Sequence, residues 1–359
     1  MQASGRVELR SLRKSYGSEA VVDGVELDIR PGEFFSLLGP SGSGKTTTLM
    51  MLAGFVAADG GRVLVDGRDI SAMPPQRRGF GMIFQNYAIF PHLNVFENVA
   101  FPLRARRLPK AEIAERVAWA LALVRLEQFA GRYSRELSGG QQQRVAIARA
   151  VVFHPNVVLM DEPLSALDRN LRTAMQGELR DIQQRLGTTV IYVTHDQEEA
   201  MSLSDRIAIM HRGRIEQVGA PRDVYEQPAN SFVARFLGEA NFLHGVVESV
   251  RDGHAVLRTG RGALLHGRAQ PGISPGRAAA LFFRPERVAV GMAAGDANTL
   301  RGRVRRAAFL GSALRCTVTL DGGEEVTLDW PNDGRASAPR EGDTVDLAWQ
   351  PTDSLVLPS

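Results

Sequence analysis

The chain has 359 residues, 44% hydrophobic and 23% charged, with a formal net charge of +3. That length exceeds what one hydrophobic core organises, so two domains are expected, and the composition is that of a globular protein rather than a disordered one. Cys316 is the single cysteine, which excludes an internal disulfide framework and a cysteine-based zinc cluster and fits a reducing compartment. No stretch approaches the roughly 20 apolar residues needed to cross a bilayer, and the first ten residues have no signal-peptide core.

Up to about Phe236, short β-branched runs alternate with helical patterns, the signature of an α/β domain with a largely parallel sheet. FFSLLG at 34–39 reads as a buried strand and is followed by GPSGSGKT at 39–46 and a helical stretch, TTTLMMLAG. Strand, glycine loop, helix is the context of a phosphate loop. Its glycines let backbone N–H groups turn inward around phosphates, Lys45 reaches the β and γ phosphates, and the Thr46 hydroxyl completes a magnesium shell. Lys14, Lys45 and Lys110 are the only lysines, which makes the one at position 45 more telling.

Further along, Leu137-Ser138-Gly139-Gly140-Gln141 precedes a helix whose apolar face includes Val145, Ala148 and Val152 and which stops before Pro155. Ser138 is placed to cap this helix, and Gly139 and Gly140 leave N–H groups accessible to an anion. One nucleotide does not need two such termini, so this one is expected to serve the ATP of another subunit. VVLM at 157–160 is a buried strand that delivers Asp161 and Glu162 at its C-terminal end, the edge where parallel sheets bind ligands. Asp161 is read as a magnesium holder and Glu162 as the group that orients and deprotonates the attacking water; the alternative makes Asp161-Glu162-Pro163 a helix start. Leu171, Met175, Leu179, Ile182 and Leu186 mark the core face of an amphipathic helix, and TVIYVTH at 189–195 is another buried strand. Beyond Glu239 the helices give way to runs such as GVVESV, HAVLRT, ALFFRPERVAV, LRCTVTL, EVTLDW and TVDLAW between Gly, Asp and Pro turns, predicting a small antiparallel barrel or sandwich.

With these motifs in this order, the chain resembles the nucleotide-binding subunit of an ATP-binding cassette (ABC) transporter: a P-loop cassette with a mixed, largely parallel sheet and a helical signature subdomain over 1–236, then a small β-barrel domain of OB-like (TOBE) type over 237–359. The resemblance covers essentially the whole chain. It implies ATP and Mg2+ as ligands, with Gly39, Pro40, Ser41, Gly42, Ser43, Gly44, Lys45, Thr46 and Thr47 around the phosphates and Tyr16, in KSYG, stacked on adenine. Thr46, Asp161 and Gln85 would hold the metal, Gln85 standing in the loop that touches the membrane subunits. Asp168, in SALD, would cross a dimer interface, and Glu162 and His195 would be catalytic, His195 facing the γ phosphate. Each of these residues has a plainer alternative: a half-buried strand aromatic for Tyr16, a helix-terminal acid for Asp168, a helix cap or strand-end filler for His195. It is their joint order that favours the family roles.

The same resemblance implies a head-to-tail dimer of this chain, or a pairing with a paralogue, in which the phosphate loop of one copy and Ser138, Gly139, Gly140 and Gln141 of the other enclose each ATP. Two membrane permeases, a solute-binding protein outside the membrane, and a peripheral position on the cytoplasmic face of a bacterial membrane complete the expectation. Tyr87, Ile89, Phe90 and Leu93 are expected either to line a groove for a permease helix or to be core. The tail, with its junction at 232–243 and FFRPE, resembles importer ATPases of the maltose, polyamine, iron and sulfate kind. FSLLGPSGSGKTTTLMMLAGF and QNYAIFPHLNVFENVAFPL look most like the spermidine and putrescine branch, with iron(III) and phosphonate importers as alternatives. A soluble cassette ATPase is disfavoured by the single phosphate loop and the lack of heptads. A nucleic-acid-binding regulator would use Arg301, Arg303, Arg305 and Arg306, but these read better as a solvated strand face, and no nucleic acid is expected.

Overall fold

The computed structural model describes residues 5–291, 295–334 and 338–358. Its contacts divide the chain into one unit up to Val224 and a second from Tyr225 onward. The first unit opens with the antiparallel strands β1 (Val7–Tyr16) and β2 (Glu19–Ile29), then β3 (Phe34–Leu38), α1 (Lys45–Ala53), β4 (Gly60–Val65), β5 (Arg68–Asp69), the short α2 (Pro75–Arg78) and β6 (Gly81–Ile83). Three helices follow, α3 (Val95–Ala105), α4 (Lys110–Leu123) and α5 (Gly139–Val151), before β7 (Val157–Asp161), α6 (Arg169–Leu186), β8 (Thr189–Thr194), α7 (Gln197–Leu203), β9 (Arg206–His211), β10 (Arg214–Gly219) and α8 (Pro221–Glu226).

The central sheet runs β10-β9-β3-β8-β7-β6 and is parallel except for β10, while a smaller antiparallel sheet runs β2-β1-β4-β5. Strands β3, β7 and β8 are buried throughout, which is why they read as unbroken apolar runs. Their alternate residues feed two separate cores. Phe34, Val158, Met160, Val190 and Tyr192 join helices α3 to α6, with Val99, Val117, Val145 and Leu179, on one face. Phe35, Val157, Leu159, Ile191 and Val193 join α1 and the small sheet on the other. The helix that follows the phosphate loop and the helix that follows Leu137-Ser138-Gly139-Gly140-Gln141 therefore pack on opposite faces of one sheet.

In the second unit α9 (Ser231–Phe236) leads into β11 (Asn241–Arg251), β12 (His254–Thr259), β13 (Leu264–Ala269), β14 (Ala278–Phe283), β15 (Ala289–Val290), β16 (Asn298–Phe309), β17 (Ala313–Leu320), β18 (Glu325–Pro331), β19 (Thr344–Trp349) and β20 (Ser354–Pro358). Strands β11-β12-β13-β20-β14 close into a barrel, and β15-β19-β16-β17-β18 form a second sheet. The two share one core: Leu257, Leu281 and Phe283 of the barrel pack with Cys316, Val318, Leu328 and Trp349, the rings of Phe283 and Trp349 stacking at 4.2 Å. The barrel expected from the turn spacing is present, and a second sheet accompanies it.

Arg284, in FFRPE, ties the start of this unit to the barrel. It is 4% exposed and stacks 4.0 Å from the Tyr225 ring. Its guanidinium donates to the carbonyls of Ala234 (3.0 Å), Glu239 (3.0 Å) and Tyr225 (3.2 Å). A buried cation held by carbonyl dipoles loses much of its hydration, which pushes its pKa down.

Candidate nucleotide site

The strand order β3-β8-β7-β6 sets four C-terminal strand ends side by side, and Lys45, His195, Asp161 with Glu162, and Gln85 follow from those ends respectively. The loop after β3 needs glycine at both ends. A β-carbon on Gly39 would lie 2.3 Å from the Met210 carbonyl oxygen, and one on Gly44 would lie 2.4 Å from that of Val21, with φ already at 100°. Gly44 is the N-cap of α1 and offers no side chain to cap it, and no acid stands in the first turn. The orphan N–H groups and the positive end of the helix therefore open into the loop, where Ser41 and Gly42 are exposed.

Lys45 is buried, and its Nζ donates to the carbonyls of Gly39 (2.8 Å) and Pro40 (2.9 Å), with Ser43 Oγ at 3.4 Å. Burial pushes the ammonium pKa down while Glu162 and Asp161 act to raise it. The cation is thus pointed into its own loop, desolvated and held by neutral carbonyls, an arrangement that an entering anion would stabilise.

Beneath the loop, Thr46 Oγ1 donates to Asp161 Oδ1 at 3.1 Å. Asp161 is 7% exposed, and burial raises its pKa against the opposing Thr46 hydrogen bond. A desolvated carboxylate beside a hydroxyl is a hard-oxygen pair suited to Mg2+, an ion that takes one or two carboxylates and draws its other ligands from water and phosphate. Among the described residues no group of three or more His, Cys, Asp or Glu with metal-holding geometry occurs.

Glu162 has a φ of 44°, in the left-handed region that a glutamate adopts only under constraint. The constraint is visible: its N–H donates to the Val193 carbonyl (3.0 Å) and its own carbonyl accepts from Ser165 Oγ (2.9 Å). Its carboxylate meets Gln85 Nε2 at 3.3 Å and His195 Nδ1 at 3.1 Å. Glu162 lies at a bend and residues 163–166 form turns, so the reading of this segment as a helix start does not hold. Tyr16 ends β1 with 54% exposure, and Lys14 Nζ stands 5.4 Å from its ring centroid.

Ser138 and Gln141 bond each other. Ser138 Oγ accepts from the Gln141 N–H (3.4 Å) and Gln141 Oε1 from the Ser138 N–H (2.9 Å), a capping box at the start of α5. Gly139 is exposed and Gly140 buried, 3.0 Å separating its notional β-carbon from Leu171. Asp168 caps α6 by accepting from the Leu171 N–H at 3.0 Å.

Of the two readings of Tyr87, Ile89, Phe90 and Leu93, core holds for Tyr87 and Ile89. Tyr87 is 7% exposed and belongs to the core with Val95 and Val145, with Ile89 packed against it. Phe90 and Leu93 are half-buried, and Phe90 meets Phe101, 47% exposed, at 4.6 Å. Arg149 was not anticipated. From the body of α5 it donates to the carbonyls of Tyr87 and Ala88, both at 2.7 Å, and so holds the loop that carries Gln85. No sequence spacing signals a helix residue that works through backbone carbonyls so far away in the chain. The tail arginines behave as a solvated strand face: Arg305 pairs with Glu325, Arg301 lies 3.8 Å from Asp346, and among the described tail residues Phe309 is the one aromatic that is largely exposed.

A phosphate loop after β3 and an acid pair at the end of β7, with β8 between them, and a second glycine-led helix on the far face define a nucleotide-binding cassette of the ABC class. The family described as ABC transporter matches residues 22–165, and the TOBE domain family matches 281–357. The spermidine/putrescine import ATP-binding protein PotA of Rubrobacter xylanophilus is 49% identical over 353 residues, 98% of this chain and 93% of that protein. Its counterpart from Thermobifida fusca is 47% identical over 365 residues, 99% and 94% of the two chains. Among solved structures, a dimeric post-hydrolysis ATP-binding cassette bound to ADP and Pi is 34% identical with a TM-score of 0.54, covering 60% of this chain and 99% of that one. The cbiO1 protein of Clostridium perfringens, part of the cbiONQ ABC transporter complex, is 30% identical with a TM-score of 0.56, covering 61% and 89%. The chain belongs to the ABC transporter ATP-binding family, in the group of spermidine/putrescine import ATP-binding proteins. Among the described residues no helix is long and apolar enough to cross a membrane.

Proposed function

We propose that this chain is the ATP-hydrolysing subunit of a spermidine/putrescine importer and that it works as a pair of copies. The observation that carries the pairing is the placement of α1 and α5 on opposite faces of the central sheet. Ser138 and Gly139 then meet an ATP only when that ATP is held by another chain.

In this reading Lys45 leaves the Gly39 and Pro40 carbonyls to take the β and γ phosphates, which the N–H groups of residues 39–47 surround. Tyr16 stacks on the adenine. Thr46, Asp161 and Gln85 would hold Mg2+, which would offset phosphate charge there. Glu162, fixed by its backbone bonds and by Gln85 and His195, accepts a proton from the attacking water, and His195 steadies the γ-phosphate side. Closure of two copies excludes water and brings Ser138, Gly139, Gly140 and Gln141 of one onto the nucleotide of the other; hydrolysis releases them.

The ATPase part is assigned to residues 1–236 and the regulatory part to 237–359. Two membrane permeases are the partners, with a solute-binding protein delivering the polyamine, and the chain sits at the cytoplasmic face of the membrane. Phe90 and Phe101 are offered as part of the permease contact in place of Tyr87. The relatives named above support polyamine as the cargo.

Glu162→Gln tests the chemistry. It is expected to bind ATP as the wild type does, to lose turnover by about 100-fold or more, and to accumulate as an ATP-bound dimer. Wild-type turnover in that variant would remove Glu162 as the base. Failure to recover the chain with a permease pair from detergent-solubilised membranes would remove the transporter assignment.

A further inference from the structure

Behind His195 lies a buried polar network that the roles above leave unused. Glu199, on α7, has only 3% of its side chain exposed and accepts from Tyr192 Oη and Thr194 Oγ1 of β8, both at 2.7 Å. Burial raises its pKa, and those two hydrogen bonds oppose the rise. The cation facing it is Arg172 of α6, whose Nε stands 3.7 Å from Glu199 Oε1. That Nε is buried and makes no hydrogen bond, so the strong contacts of Arg172 lie at the other end of its guanidinium.

The two terminal nitrogens reach different loops. Nη1 donates to Asp196 Oδ2 at 3.0 Å, and Nη2 donates to the Leu167 carbonyl, also at 3.0 Å. Asp196 directly follows His195; its other oxygen caps α7 through the N–H groups of Glu198 (2.8 Å) and Glu199 (3.2 Å). Leu167 directly precedes Asp168, which caps the helix that carries Arg172. One rigid planar fork thus joins the segment bearing His195 to the end of the loop 165–168, and a shift of either segment must be taken up by the other or by loss of a charge-assisted hydrogen bond.

We infer that Arg172 is a positioning residue that couples the γ-phosphate segment at His195 to the loop ending at Asp168, and through that loop couples the two ATP sites of a dimer. The inference rests on the paired mechanism proposed above, in which that loop crosses to the second copy. Through its two terminal nitrogens Arg172 makes the position of one segment depend on the other. Glu199 holds its stem side and locks the end of β8 to the same unit.

The test uses the full-length chain with MgATP and reads three quantities: ATP affinity under non-hydrolysing conditions, kcat, and the Hill coefficient of hydrolysis. Arg172→Met is expected to keep affinity within about threefold while kcat falls about tenfold and the Hill coefficient drops to near 1. Arg172→Lys restores the charge without the fork and is expected to fail to recover cooperativity. Should Arg172→Met not fold, Asp196→Asn serves in its place, since the amide oxygen still caps α7 while its NH2 turns against Nη1. Cooperativity unchanged in these variants overturns the inference, as does an affinity loss that matches the loss of kcat, which would make Arg172 a mere prop of the site. A wild-type chain that hydrolyses ATP without any cooperativity would instead overturn the paired mechanism itself.

Discussion

The starts of α1 and α5 are both glycine-led helix N-termini, yet they are finished in opposite ways. At α1 the N-cap is Gly44 with no capping side chain, a buried Lys45 lies folded onto loop carbonyls, and Asp161 and Glu162 stand behind it. At α5 the Ser138 and Gln141 side chains already bond the helix's own N–H groups, and no acid stands in the first turn. An uncapped terminus with a desolvated lysine is unstable in its parts until an anion arrives. A self-capped terminus is content without one and yields its cap only to a ligand brought from outside. The difference explains how one chain can hold ATP at the first start while needing a second chain to use the other.

The largest effect on the difference between the two helix starts is expected from Gly139→Asp. A β-carbon at this exposed position meets only Leu167, at an ordinary 3.7 Å, so the fold should survive while a carboxylate faces the incoming phosphates. Turnover is expected to fall by about 100-fold or more with the ATP affinity of the single chain unchanged, as ATPase assays and calorimetry would show. Loss of affinity in step with turnover would mean that both termini serve the same nucleotide. Tyr16→Ala probes the α1 side alone: ATP should bind roughly tenfold more weakly, with kcat at saturation close to wild type, because a lost stacking contact is worth about 1–2 kcal/mol. The smallest effect is expected from Ser138→Ala, which removes the cap of α5. Denaturant melts of the nucleotide-free chain should show a loss of about 1 kcal/mol; no loss would mean that the cap does not hold that helix in place.

Much of this contrast was legible in the residues. The loop at 39–46, the strand bringing Asp161 and Glu162, and the capping role of Ser138 each follow from local rules about strands, glycine and helix ends, and all three appear in the fold where those rules put them. Long-range placement was not legible. Burial of Tyr87 depends on α3 and α5 closing over it, and a run of aromatic and apolar residues looks the same whether it faces a partner or a core. Arg149 and Arg172 act through backbone carbonyls, which carry no sequence identity, so no motif announces them. In the tail, runs such as HAVLRT and EVTLDW were readable as strands between turns, but the division into a closed barrel and a second sheet depends on which edges pair, such as the parallel contact of β13 with β20.

The central claim is that the site built on Lys45 is half of a working site. Sedimentation velocity with MgATP tests it most directly, comparing Glu162→Gln with the double variant Glu162→Gln/Gly139→Asp. The single variant is expected to sediment as a dimer, and the double variant to stay monomeric while still binding one ATP per chain. A dimer of equal stability in both variants would contradict that claim.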